Sequence, residues 1–186
     1  AFDTAADLTT PTGTAGTWAL EATGDNGANS YHVKVWTRPV TSGGAQTVTV
    51  PDTGAAENFQ ILFVIAGADT TDPSDDAAGS NGTASTSHVA PSVSPSTSRA
   101  LLICASIGTL CDYTPPGGMA ESAEEDGDFS TLTAAVVALS ASGATGTKTF
   151  TSSVSSAFAT ATIAIRSACD AGGASGAGAS PQRSNT

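Results

Sequence analysis

The chain has 186 residues, a length that suits one domain or two small halves sharing one core. Charged residues make up only 12% and aromatics 5%, with Ala, Gly, Ser and Thr dominant, a composition that excludes the Lys/Glu-rich helical enzyme with its persistent apolar stripe. Seventeen acidic residues against six basic ones leave a net charge of −11, which opposes binding to phosphate backbones and docking on anionic membranes.

Strand candidates are short, rich in Thr, Val and Ile, and bounded by Gly, Pro, Asp and Asn. In chain order they are Trp18–Thr23, Ser30–Thr37, Thr47–Val50, Phe59–Ala66, His88–Val93, Ala100–Ser106, Met119–Ala123, Thr131–Leu139, Thr147–Thr151 and Ala157–Arg166. About ten such strands predict an all-β fold, a β-sandwich or jelly-roll-like domain. The longest apolar run, Ile61–Ala68, is too short to span a bilayer. The first residues carry no signal-peptide pattern, and Ala1 fits removal of an initiator Met as well as other processing.

The order of elements recurs about a hundred residues apart. A Thr-Pro-x-Gly turn (Thr10–Gly13, Thr114–Gly117) leads into a short strand and a Gly/Asp loop, "GDNGAN" in one copy and "EDGD" in the other. An apolar strand follows, "SYHVKVWT" against "TLTAAVVAL"; then come a Gly-centred turn, a Thr-rich strand and a closing buried strand, "FQILFVIAG" against "AFATATIAI". The pattern predicts two pseudo-repeated half-units, roughly 10–67 and 88–168, neither able to bury its own face alone. Residues 67–87 read as a loop linking them, and together they make one domain over 1–168. Residues 169–186, rich in Gly, Ala and Ser without an apolar anchor, read as an extended tail that orders only against a neighbour.

Residues with site chemistry are few. Asp69, Asp72, Asp75 and Asp76 fall within eight residues and are the candidate oxygen ligands for Ca²⁺, although Pro73 interrupts them and the EF-hand spacing is absent; a plain solvated loop is the competing reading. Glu124, Glu125, Asp126 and Asp128 form a second acidic cluster of the same kind. Trp18 and Trp36 are the candidate platform for stacking a glycan, the alternative being Trp18 in the core and Trp36 under a neighbouring subunit. The histidines are His32, which alternation puts on the face opposite Tyr31, Val33 and Val35, and His88, before Pro91. Neither belongs to a nucleophile elbow, an HExxH helix or a phosphate loop, so the chain is expected not to be an enzyme and to need no cofactor. Three irregularly spaced cysteines, Cys104, Cys111 and Cys169, argue against a disulfide framework or a zinc site, with Cys104–Cys111 pairing across a turn left open. Asn81-Gly82-Thr83 is a glycosylation sequon, meaningful only in a eukaryotic secretory pathway.

The stretches "KVWTRPVTSGGAQTVTV", "FVIAGADTTDPSDDAA", "STSHVAPSVSPSTSRALLICAS" and "DYTPPGGMAESAE", continued by "LSASGATGTKTFTSS" and "ATATIAI", resemble a β-sandwich type of virion structural proteins in tailed phages, especially phages of actinobacteria. The resemblance implies a decoration protein on the capsid or an appendage module on the tail, and it supplies no catalytic residues. Its acidic surface is unfavourable beside packaged DNA, so the expectation is a capsid decoration (cement) protein on the outer surface of a phage head. Its partners would be the major capsid protein and copies of itself, a trimer being natural, with no nucleic acid and no membrane. Contact is expected through Ala1–Pro11, 67–87 and the tail. The alternative is a tail or fibre appendage on the tail exterior, or a carbohydrate-binding adhesion module; a secreted hydrolase would need His32 or His88 in a pocket beside a carboxylate.

Overall fold

Thr, Ser, Val and Ala alternating along extended segments pack well on pleated surfaces. Among the described residues they form ten strands and no helix. The structure is a computed structural model and describes residues 9–13, 16–27, 31–41, 43–51 and 57–169. The strands are β1 (Thr12–Gly13), β2 (Ala19–Asp25), β3 (His32–Thr37), β4 (Val48–Thr49), β5 (Ser74–Ala90), β6 (Leu101–Thr109), β7 (Tyr113–Thr114), β8 (Ala120–Asp126), β9 (Ser130–Ala138) and β10 (Lys148–Ile165). The all-β expectation holds.

The main sheet runs β5-β10-β6-β9-β8, all neighbours antiparallel, with β7 added beside the first residues of β10. Residues 158–165 of β10 are buried on both faces, because the sheet lies between two apolar layers. On one face, Ile103, Ile107, Ala159, Ala161 and Ile163 meet Ala22 and Val33 of the β2–β3 hairpin together with Phe59, Ile61, Phe63 and Ile65. On the other, Leu102, Cys104, Ala135 and Ala164 meet Phe150, Ala90, Tyr113 and Val93.

That second layer is supplied by the ribbon of β5 and β10 itself. Register shifts between Thr151 and Ser156, and again before Phe158, mark bulges, which bend a strand sharply. Beyond them the ribbon end folds back over the sheet, so that the Thr160 hydroxyl donates to the Val89 carbonyl at 3.0 Å. Edge strand β8 is blunted by Glu121, Glu124, Glu125 and Asp126, charges that discourage pairing with another chain.

Three expectations need correction. The linker over 67–87 is mostly strand: only residues 67–73 precede β5, with Ala68 bridging Ser167, and β5 covers Ser74–Ala90 where the short strand His88–Val93 was expected. The predicted strands Thr147–Thr151 and Ala157–Arg166 are one bulged strand, β10. Phe59–Ala66 is extended and alternates inward and outward, but among the described residues it joins no ladder. The two half-units therefore build unequal parts. The β8–β9 hairpin lies within the main sheet, while the matching β2–β3 hairpin forms a separate two-stranded layer. The tail beyond Cys169 and residues 1–8 lie outside the described residues.

Candidate functional surfaces

The four aspartates of the acidic segment do not converge as a cation site. Asp69 caps its own turn, its Oδ1 accepting from the Thr71 and Asp72 backbone N–H groups at 2.8 and 3.3 Å. Asp76 accepts from the backbone of Ala77 and Ser94. Asp75, its side chain fully covered, accepts from the Ser96 N–H (3.1 Å) and hydroxyl (2.6 Å), the Thr97 N–H (2.8 Å) and hydroxyl, and Arg166 Nη2 (3.1 Å). Arg166 Nη1 reaches Asp72 at 3.0 Å, so one guanidinium forks across two carboxylates. Burial alone would raise the Asp75 pKa, but the hydrogen bonds from Ser96 and Thr97 outweigh it and hold the carboxyl well below the usual range. The candidate Ca²⁺ ligands thus tie the start of β5 to segment 94–97 and to the end of β10. Among the described residues no three His, Cys, Asp or Glu side chains are placed to hold a metal ion. The second cluster lies along β8 and its turn; Asp126 accepts from the Thr131 hydroxyl, and burial followed by the charges of Glu121, Asp126 and Asp112 pushes the Glu124 carboxyl up.

The histidines occupy different environments. His32 pairs with Asp25 at 3.1 Å across the end of the hairpin, and that pair does not line the cavity described below. His88 is wholly buried at the folded corner. Its ring stacks on Phe158 with centroids 4.2 Å apart, Nε2 lies 3.1 Å from the Ser85 carbonyl, and Nδ1 faces the Tyr113 (2.9 Å) and Ser106 (3.1 Å) hydroxyls. Because a carbonyl only accepts, Nε2 carries the proton and Nδ1 accepts. Burial lowers the His88 pKa, so folding favours the neutral ring. Protonation in the unfolded chain begins near its ordinary value of about 6.5, so stability is expected to fall as pH drops below that value, by at most about 1.4 kcal/mol per unit, and to be retained above it. Thermal midpoints at pH 7.5 and 5.0 check this: the drop shrinks in His88→Gln, and an equal drop in both proteins would refute the assignment.

The two tryptophans lie on or beside the outer face of the β2–β3 hairpin, both half-buried. Trp36 sits opposite Leu20, which is 53% exposed, while the Arg38 guanidinium lies 5.0 Å over the Trp18 ring. One face of Trp18 is therefore taken, and a glycan stacking there would displace a cation–π contact.

All three cysteines are free, Cys104 and Cys111 buried and Cys169 exposed. Burial pushes the Cys104 thiol up to about 11 and raises that of Cys111. At pH 8 a thiol reagent is expected to titrate Cys169 alone in the native protein and all three in denaturant. Loss of two thiols in non-reducing denaturant would show a Cys104–Cys111 bond.

Two features were not legible in the sequence. Residues 59–65 point Phe59, Ile61, Phe63 and Ile65 inward and expose Leu62 (60%) and Val64 (90%). Phe129, whose N–H donates to Glu57 at 2.7 Å, is 69% exposed near the start of that segment. The second feature is an open cavity of about 630 Å³ where the hairpin end, β5, the end of β6 and the β10 bulge meet. Its wall includes Asn26, Tyr31, Asn81, Thr83, Thr109 and Ser155 and, among the described residues, no charged side chain. Comparison with protein-family models, curated proteins and solved structures returned no match.

Proposed function

We propose that this chain is a virion structural protein, a decoration protein on the outer surface of a phage head that stabilises the shell by binding assembled major capsid protein. The observation that carries an assembly role is the extended segment 59–65. A strand-like stretch that faces Leu62 and Val64 outward, the latter 90% exposed, has the form of a contact surface. The net charge of −11 favours a place away from packaged DNA. The resemblance of the turn-and-strand patterns to phage virion proteins supplies the setting, with a homo-oligomer, such as a trimer, as the bound form. Binding the assembled shell but not its free subunits would stabilise the shell by mass action. A place on the tail exterior is the alternative within the same reading.

The test begins with particles treated by mild heat or chaotrope, the released proteins being resolved on a gel and the stripped heads imaged. The expected result is abundant release of this chain from intact heads, which then melt at lower temperature. Added back, the wild-type protein restores the melting point, whereas Leu62→Lys/Val64→Lys folds normally, being changed only at exposed positions, and rebinds at least tenfold more weakly. Departure in a few copies together with tail parts would sink the capsid reading. Undiminished rebinding by the double variant would sink the role of this segment.

A further inference from the structure

The cavity at the hairpin end has a chemistry of its own. Among the described residues its polar wall is made of hydroxyls and carboxamides without a charge, and Gly82, Ala84, Val154 and Ala157 supply small apolar patches between them. A charged ligand would find no counter-charge in this wall to offset its desolvation. A neutral ligand with many hydroxyls matches it, since carboxamides and hydroxyls both donate and accept. The volume lies within the range of small-molecule sites.

The wall is also held in place. Asn26 Nδ2 donates to the Gly82 carbonyl at 2.6 Å, Asn81 Nδ2 donates to the Asp25 carbonyl, and the Tyr31 and Thr109 hydroxyls meet at 2.9 Å. These bonds join the hairpin to β5 and β6, so the groups are oriented before any ligand arrives. The bulges that fold the β5–β10 ribbon are what open the space, the place where bulges commonly re-aim side chains toward a ligand.

We infer that this cavity is a binding site for a neutral sugar unit, distinct from the Trp18–Trp36 face. The inference stands apart from the capsid reading: a decoration protein or an appendage would use such a site equally to hold the particle near a glycan-coated surface.

Saturation-transfer NMR on the full chain tests it, with methyl α-glucoside, methyl α-mannoside, methyl β-galactoside and N-acetylglucosamine as probes at millimolar concentration. At least one sugar is expected to receive saturation from the wild-type protein. Thr83→Trp, at an exposed wall position, is expected to weaken binding at least tenfold, and Trp36→Ala to leave it unchanged. Ala84→Trp replaces Thr83→Trp if the latter fails to fold by circular dichroism. No transfer to any of the four sugars overturns the inference. So does binding that survives filling of the cavity, or that disappears in Trp36→Ala, which would move the site to the aromatic face. None of these outcomes bears on whether the chain leaves with the head or the tail.

Discussion

Gly79→Ala is expected to lower the unfolding free energy by about 3 kcal/mol, at the upper end of overpacking costs. Gly79 lies inside β5 where β2 crosses it, and a methyl group there would overlap the Thr23 carbonyl and sit 2.6 Å from the Gly24 nitrogen. From the other side, a methyl at Gly24 would come within 2.6 Å of the Ser80 carbonyl. The two glycines let backbone pack on backbone, so neither contact is with a side chain that swings away. For a chain of this size the thermal midpoint should fall by roughly 6–12 °C. Gly117→Ala is the control: its turn has open space around the new methyl and needs no positive φ, so its midpoint should stay within about 2 °C of wild type. Equal midpoints for Gly79→Ala and wild type would mean that β2 does not cross β5 at this distance.

Asp75→Ala is expected to cost about 3 kcal/mol, the scale of breaking a buried charge pair from one side. The substitution strands donors from Ser96, Thr97 and Arg166 at once and frees segment 94–97 from the start of β5. Asp75→Asn keeps the shape and, through its one acceptor oxygen, part of the bonding, so it should cost less than half as much; the remaining loss is that its amide nitrogen cannot accept. The pH dependence separates this site from His88. A carboxyl held below its unfolded value of about 3.9 contributes stability above that pH and loses it as pH falls further, so wild type and Asp75→Ala should converge below about pH 4. A constant gap from pH 7 to pH 2 would show that the carboxylate charge is not what the site uses.

The hairpin was accessible from local pattern. "YHVKVW" alternates cleanly, and its Val33 and Val35 face the core while Lys34 and Trp36 share the outer face. The turn residues around 114–118 and the strands β6, β8 and β9 were likewise set by composition, since β-branched and small residues between Gly/Pro punctuation have few other local options.

The acidic segment was misread for a specific reason. "DPSDDAAGSNGTASTS" has the Gly, Asp and Asn content of a loop, yet it forms most of β5. Gly79 is there because a second backbone passes against it, and Gly82 because the Phe158 ring fills the place of a side chain. Asp75 and Asp76 are there because donors from residues 94–97 and Arg166 arrive from elsewhere in the chain. These are long-range facts that no window of sequence contains. The same holds for residues 59–65: the nearly unbroken apolar run reads as a buried strand, and only tertiary packing decided that Phe59, Ile61, Phe63 and Ile65 turn inward while Leu62 and Val64 stay exposed. Local sequence determined that the hairpin β2–β3 and the strands β6, β8 and β9 extend. Tertiary structure alone decided which backbones come close enough to require glycine, which carboxylates are satisfied, and where bulges fold the ribbon into a buried corner and an open cavity.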